Sequence, residues 1–94
     1  MNLRFEWDEK KADANLRKHG VSFEEAITVF RDPVAVTIYD VAHSEVEDRY
    51  IDIGVSASGY ILVVVYTERD SSIRIISCRQ ATLSERRQYE RRES

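Results

Sequence analysis

The sequence predicts a single α+β domain spanning residues 1–94 in the order β-α-α-β-β-β-β-α, with a helical hairpin packed on one face of an antiparallel sheet. Three observations predict it. Two helix-start signatures follow one another between residues 8 and 33, separated by a lone glycine. Four β-branched, apolar runs then fill residues 34–79, with only short polar breaks between the last three. A further start signature, Thr82-Leu83-Ser84-Glu85, opens a closing helix.

Leu3, Phe5 and Trp7 alternate with polar residues, as a short strand requires. Asp8 is placed to cap a helix that keeps Ala12, Leu16 and His19 on its inner face, and Gly20 stops it. Ser22 and Glu25 form a capping box for a second helix, whose stripe is Phe23, Ala26, Ile27 and Phe30. Asp32-Pro33 ends that helix, because a residue before proline resists the α region. Strands follow at Val34–Tyr39, Arg49–Ser56, Tyr60–Glu68 and Ile73–Arg79. The short breaks at 57–59 and 69–72 make the last three an antiparallel meander. The closing helix runs to about Arg92 and has only Leu83 and Tyr89 as large apolar residues, which predicts a peripheral arm.

Composition fits one folded domain, at 43% hydrophobic and 33% charged residues. A chain of this size removes roughly two-thirds of its unfolded surface from water, enough for one modest core. The single cysteine, Cys78, excludes an internal disulfide and stands in an apolar run, as an inert packed thiol does. The N-terminus has no apolar signal region and no stretch approaches a membrane span, so a soluble, cytoplasmic protein is expected. Net charge is −3, which excludes a generic polycation. Charge is unevenly placed, however. Residues 1–68 carry 7 Lys/Arg against 13 Asp/Glu, whereas residues 69–94 carry 7 Arg against 4 Asp/Glu.

Two constellations could carry chemistry. Arg79, Arg86 and Tyr89 gather where the last strand hands over to the last helix. Guanidinium forks there match phosphate oxygens, and a tyrosine stacks on a base or gives a proton. The plain alternative is a solvated helix whose Glu85, Glu90 and Glu93 pair with its arginines. Strict alternation sends Ile73, Ile75, Ser77 and Arg79 to one face of the last strand, and Arg74, Ile76 and Cys78 to the other. The second constellation is Asp40, His43, Glu45, Glu47 and Arg49. In an extended chain the last four share one side, where general acid–base work on a phosphodiester becomes feasible. The alternative is an acidic loop in which Glu47 and Arg49 form a cross-strand pair. Lys10, Lys11 and Lys18 make a basic edge on the first helix, suited to an RNA backbone or simply to solvent. No metal-ligand spacing, Gly-rich phosphate loop, H-E-x-x-H or G-x-S-x-G is present.

Taken in order, FEWDEKKADANLRKHGVSFEEAITVFRDP, the H-x-E-x-E-x-R of His43–Arg49, and IRIISCRQAT followed by ERRQYE resemble the BrnT toxins of bacterial type II toxin–antitoxin systems. The resemblance covers nearly the whole chain. It implies a RelE-like fold and a ribonuclease that works without metal or other cofactor and inhibits translation by cutting RNA. It also implies a BrnA-like antitoxin with a ribbon-helix-helix domain, binding of operator DNA only through that antitoxin, and a higher-order toxin–antitoxin oligomer. RelE-like folds place arginines, lysines and often a tyrosine at the RNA site. Arg49, Arg79, Glu47, His43 and Tyr89 are therefore the expected catalytic residues, with Lys11, Lys18, Arg74, Arg86 and Arg87 holding RNA. In that reading Arg79 and Arg49 hold the transition-state charge, Glu47 or His43 takes the 2′-hydroxyl proton, and Tyr89 stacks a base or protonates the leaving oxygen. A competing reading is a non-catalytic module that acts as antitoxin partner or co-repressor in a DNA-bound complex.

Overall fold

A computed structural model describes residues 3–93. The first strand, β1 (Arg4–Glu6), leads into helix α1 (Glu9–His19). Asp8 caps α1 by accepting from the backbone N–H groups of Lys10 and Lys11, at 2.8 and 3.3 Å. Gly20 ends it at φ 70°, where its N–H reaches the Leu16 carbonyl.

The inner face of α1 differs from expectation. Leu16 is half-exposed, and the buried residue is Asn15. Its carboxamide lies against the edge of strand β5 (Ser72–Gln80), donating to the Cys78 carbonyl at 2.9 Å and accepting from the Cys78 N–H at 3.1 Å. It also donates to the Val21 carbonyl at 3.0 Å. β1 pairs with β5 only as far as Arg74, so Asn15 supplies hydrogen bonds that a longer edge strand would have made.

Ser22 caps the next helix, α2 (Phe23–Ala26), which tightens at once into a 3₁₀ turn over Ile27–Arg31. The fully buried residues are accordingly Phe23, Ala26 and Val29. Their spacing of three matches a 3₁₀ helix, whereas the expected stripe had assumed 3.6 residues per turn. Strand β2 (Val36–Tyr39) starts later than expected because Asp32 turns the chain first, accepting from the Val34 N–H at 3.0 Å.

Strands β3 (Arg49–Val55), β4 (Ile61–Arg69) and β5 form the expected meander, and β2 adds antiparallel to β3. The order across the sheet is β1-β5-β4-β3-β2. β1 joins the β5 edge in parallel, so the five-stranded sheet is mixed rather than wholly antiparallel. No tight hairpin links β1 to its neighbour, which leaves its direction free.

A bulge between Val65/Tyr66 and their β5 partners resets the alternation of β5. Ile73 and Ile75 before it and Cys78 after it all enter the core beneath the helical hairpin, with Leu62, Val64 and Tyr66. The assignment of Cys78 and Ile75 to opposite faces is therefore corrected, and Arg74 and Arg79 share the far face. Burial pushes the Cys78 thiol up to about 11, despite its hydrogen bond from Asn15, as expected of an inert thiol.

That far face carries a smaller core of Ile53, Val63 and Tyr89, flanked by Val34, Val36 and Ile61. Tyr89 belongs to helix α3 (Leu83–Glu93), so the last helix is anchored to the sheet and is not a free arm. Among the described residues, no helix is long and apolar enough to cross a membrane.

Candidate functional site

On the far face of the sheet, away from α3, a cross-strand row is set by register alone. Glu6 faces Arg74, Arg74 faces Thr67, and Thr67 faces Arg49, across β1, β5, β4 and β3. Directly opposed residues lie with Cβ atoms about 5 Å apart and on one face, so two guanidinium groups flank a central threonine. The row floors a cleft of about 480 Å³. Lys11 of α1 closes one side, and Ala42, His43, Glu45, Val46 and Glu47 overhang another, with Arg69 and Ile76 also lining it.

The overhang is the loop between β2 and β3. It is not extended: a 3₁₀ turn over Val41–His43 is followed by bends up to Arg49. Ser44 ties its two ends together, its hydroxyl donating to the Asp40 carbonyl and accepting from the Arg49 N–H at 3.0 Å. His43, Glu45, Glu47 and Arg49 thus meet in the cleft as expected, but by folding over it rather than by strand alternation.

His43 is exposed, and its Nδ1 lies 3.0 Å from the Asp40 carboxylate. The carboxylate orients the ring and leaves Nε2 for a ligand, the arrangement used by imidazole bases. Glu47 is differently placed. Arg69 grips it through Nε at 2.6 Å and Nη2 at 3.1 Å. That hydrogen bond holds its carboxyl below the usual range against a smaller push from desolvation, with Arg69, Arg74 and Arg49 adding attraction. A carboxylate so stabilised is a weak base. The alternative pairing of Glu47 with Arg49 is not formed, and Arg69, at the end of β4, takes Glu47 instead.

The floor of the cleft is polar and incompletely bonded. Thr67 is 3% exposed, and its Oγ1 has no hydrogen-bond partner among the described residues. The Nε of Arg49 is also buried and unbonded. Such groups typically cost about 1–3 kcal/mol each when left unpaired. Thr67 was not singled out in the sequence, where it reads only as a β-branched strand residue. Its signal was register with Arg49, which needs the fold.

The other expected site residues lie elsewhere. Arg79 is opposite Val63, four residues along β4 from Thr67, or roughly 13 Å at about 3.3 Å per residue. It does not line the cleft that Arg49 lines. Its Nη1 and Nη2 clasp both oxygens of Glu85 at 2.7 and 2.8 Å. Glu85 at the same time completes its capping box, accepting from the Thr82 N–H at 2.8 Å while its own N–H reaches the Thr82 hydroxyl at 3.3 Å. The plain alternative, local pairing of the helix's acids with arginine, is what is found at this residue. Tyr89 is 4% exposed and donates its hydroxyl to Asp32 Oδ2 at 2.6 Å, so it is packed in the core and outside the cleft. Arg86 and Arg87 are exposed on α3, and Lys18 is exposed on α1 two turns from Lys11. None of the three lines the cleft.

Among the described residues, no three His, Cys, Asp or Glu side chains stand together as a metal site would need. Lys11, Arg49, Arg69 and Arg74 instead gather positive charge around a shallow, open floor, which suits an extended polyanion.

Comparison with known proteins identifies the family. Residues 7–85 match the family model described as the ribonuclease toxin BrnT of type II toxin–antitoxin systems. The fold is similar to the crystal structure of the Brucella abortus ribonuclease toxin BrnT, with a TM-score of 0.69 and 26% sequence identity. That similarity covers 86% of this chain and 99% of the Brucella one. No curated protein sequence matches. The chain therefore belongs to the BrnT family of ribonuclease toxins of type II toxin–antitoxin systems.

Proposed function

We propose that the protein is an endoribonuclease toxin that cuts RNA at the cleft over Arg49, Thr67 and Arg74 without a metal ion, and so inhibits translation. The observation that carries this reading is the convergence of Lys11, Arg49, Arg69 and Arg74 on one cleft beside an imidazole oriented by Asp40. Cleavage is a transesterification. The RNA 2′-oxygen attacks the adjacent phosphorus, the bond from phosphorus to the 5′-oxygen breaks, and a 2′,3′-cyclic phosphate and a 5′-hydroxyl remain.

His43 takes the 2′-hydroxyl proton through Nε2, because the Arg69 hydrogen bond stabilises the Glu47 carboxylate and weakens it as a base. Arg49 and Arg74 hold the charge that grows on the phosphoryl oxygens, which a divalent ion would otherwise neutralise. Lys11, at the rim, returns a proton to the leaving oxygen. Arg79, Arg86, Arg87 and Lys18 contact RNA outside the cleft, through its backbone. Tyr89 positions α3 and has no part in the chemistry.

The partner in this reading is a BrnA-like ribbon-helix-helix antitoxin that neutralises the toxin and carries it to operator DNA in a larger oligomer. Purified protein incubated with RNA in EDTA, with and without translating ribosomes, tests the reading. Cyclic-phosphate ends support it, and intact RNA in both conditions refutes it.

A further inference from the structure

We infer that Thr67 is the buried donor of a phosphate seat, formed with Arg49 and Arg74 at the floor of the cleft. The inference deepens the proposed function and rests on it for the claim that the phosphate belongs to RNA. The seat itself stands on geometry.

Three features point to an anion and to this spot. Thr67 is 3% exposed, lines the cleft, and has a hydroxyl with no hydrogen-bond partner among the described residues. Its direct neighbour in the β3–β4 ladder, Arg49, has a buried Nε with the same deficit. Its direct neighbour on the other side is Arg74, whose guanidinium makes a loose 3.7 Å contact with Glu6. Two adjacent unsatisfied groups with cations on both sides would all be answered by one tetrahedral oxyanion. A carboxylate or a neutral amide meets fewer of them. A merely structural threonine would have bonded its hydroxyl to a nearby carbonyl, as Ser44 does at the neck of the loop.

The seat also explains the placing of Glu47. Its carboxylate lies among Arg69, Arg49 and Arg74, near enough for each to stabilise its charge. An incoming phosphate meets that negative charge in the same field, so Glu47 opposes occupancy even while Arg69 holds it.

Inorganic phosphate titrated into the full-length protein, followed by amide chemical shifts, tests the seat without reference to cleavage. Thr67→Val keeps the shape and removes the hydroxyl, and Thr67→Ser keeps the hydroxyl. The expected result is phosphate affinity reduced at least about tenfold in Thr67→Val, near wild type in Thr67→Ser, and raised in Glu47→Gln. The Tm of Thr67→Val should equal or exceed that of wild type, because an unpaired buried hydroxyl has gone. Affinity unchanged in Thr67→Val overturns the seat, as does a wild-type protein that binds no phosphate. If Thr67→Val is too unstable to titrate, the hydroxyl was structural and the seat is again refuted. A protein that binds phosphate as expected yet leaves RNA intact refutes the nuclease reading and keeps the seat. One that cuts RNA at full rate as Thr67→Val refutes the seat's role and keeps the nuclease.

Discussion

Tyr89 and Asp32 meet through a 2.6 Å hydrogen bond that ties the last helix to the loop after the helical hairpin. Asp32 Oδ2 also accepts from the Val55 N–H at 2.9 Å, so one carboxylate joins α3, β3 and the loop. Burial pushes that carboxyl up, but its hydrogen bonds from Tyr89, Val55 and Val34 outweigh burial and leave it below its usual value. Tyr89→Phe removes one donor and should destabilise the fold by about 1–2 kcal/mol. RNA cleavage measured well below the unfolding transition should be unchanged. A large loss of rate in a folded Tyr89→Phe protein would return Tyr89 to the chemistry.

Gly54 lies where the loop and the 3₁₀ turn cross β3. A Cβ there would stand 2.9 Å from Val29 Cγ1 and 3.0 Å from Ala35 Cβ. Gly54→Ala should therefore cost about 1–3 kcal/mol through overpacking, read as a lower denaturant midpoint. Gly59 is the contrasting case. A Cβ there meets nothing within 4 Å, but its φ of 89° leaves strain as the only penalty.

Asp52 is buried beneath the hairpin, where the Tyr66 hydroxyl donates to it at 2.8 Å. Burial raises its pKa, with hydrogen bonds from Tyr66 and Thr37 opposing. A carboxyl raised on folding stabilises the protein most below its unfolded value near 3.8, and that contribution is lost as pH climbs through the folded value. Asp52→Asn should then gain stability over wild type as pH rises from 4 to 7. Denaturant midpoints across that range check the sign, and a gap that shrinks with pH contradicts it.

Glu85 has the opposite sign. The hydrogen bond from Arg79, helped by the Thr82 cap and opposed by burial, draws it down to about 2. Its contribution is complete above its ordinary 4.5 and is lost as pH falls toward 2. Glu85→Gln should flatten acid destabilisation over that window. Thr82→Ala, which removes the other half of the box, should cost about 1 kcal/mol at neutral pH.

Local chemistry was legible in the sequence where it acts within a few residues. Asp8, Gly20, Ser22 and Thr82 cap or stop helices as their spacing implies. Contributions from distant chain segments were not legible. The bulge at Ile76 inverts the facing of Cys78 and Arg79, and no residue at that position announces it. Asn15 outcompetes Leu16 for the interior because the β5 edge needs hydrogen bonds that leucine lacks. Of the candidate residues, Lys11, His43, Glu47, Arg49 and Arg74 share one cleft. Arg79 is drawn off by Glu85, a local pairing the sequence already offered, and Tyr89 by Asp32, a carboxylate whose proximity only the fold creates.

Cleavage of a defined RNA by wild-type, Arg49→Ala and Arg79→Ala proteins in EDTA, with translating ribosomes present, tests the account most directly. It predicts 2′,3′-cyclic phosphate ends from wild type and a loss of about 100-fold or more in folded Arg49→Ala. Arg79→Ala, whose guanidinium lies outside the cleft, should lose far less. Equal losses in the two variants, or a fully active Arg49→Ala, would contradict the placement of the chemistry over Arg49, Thr67 and Arg74.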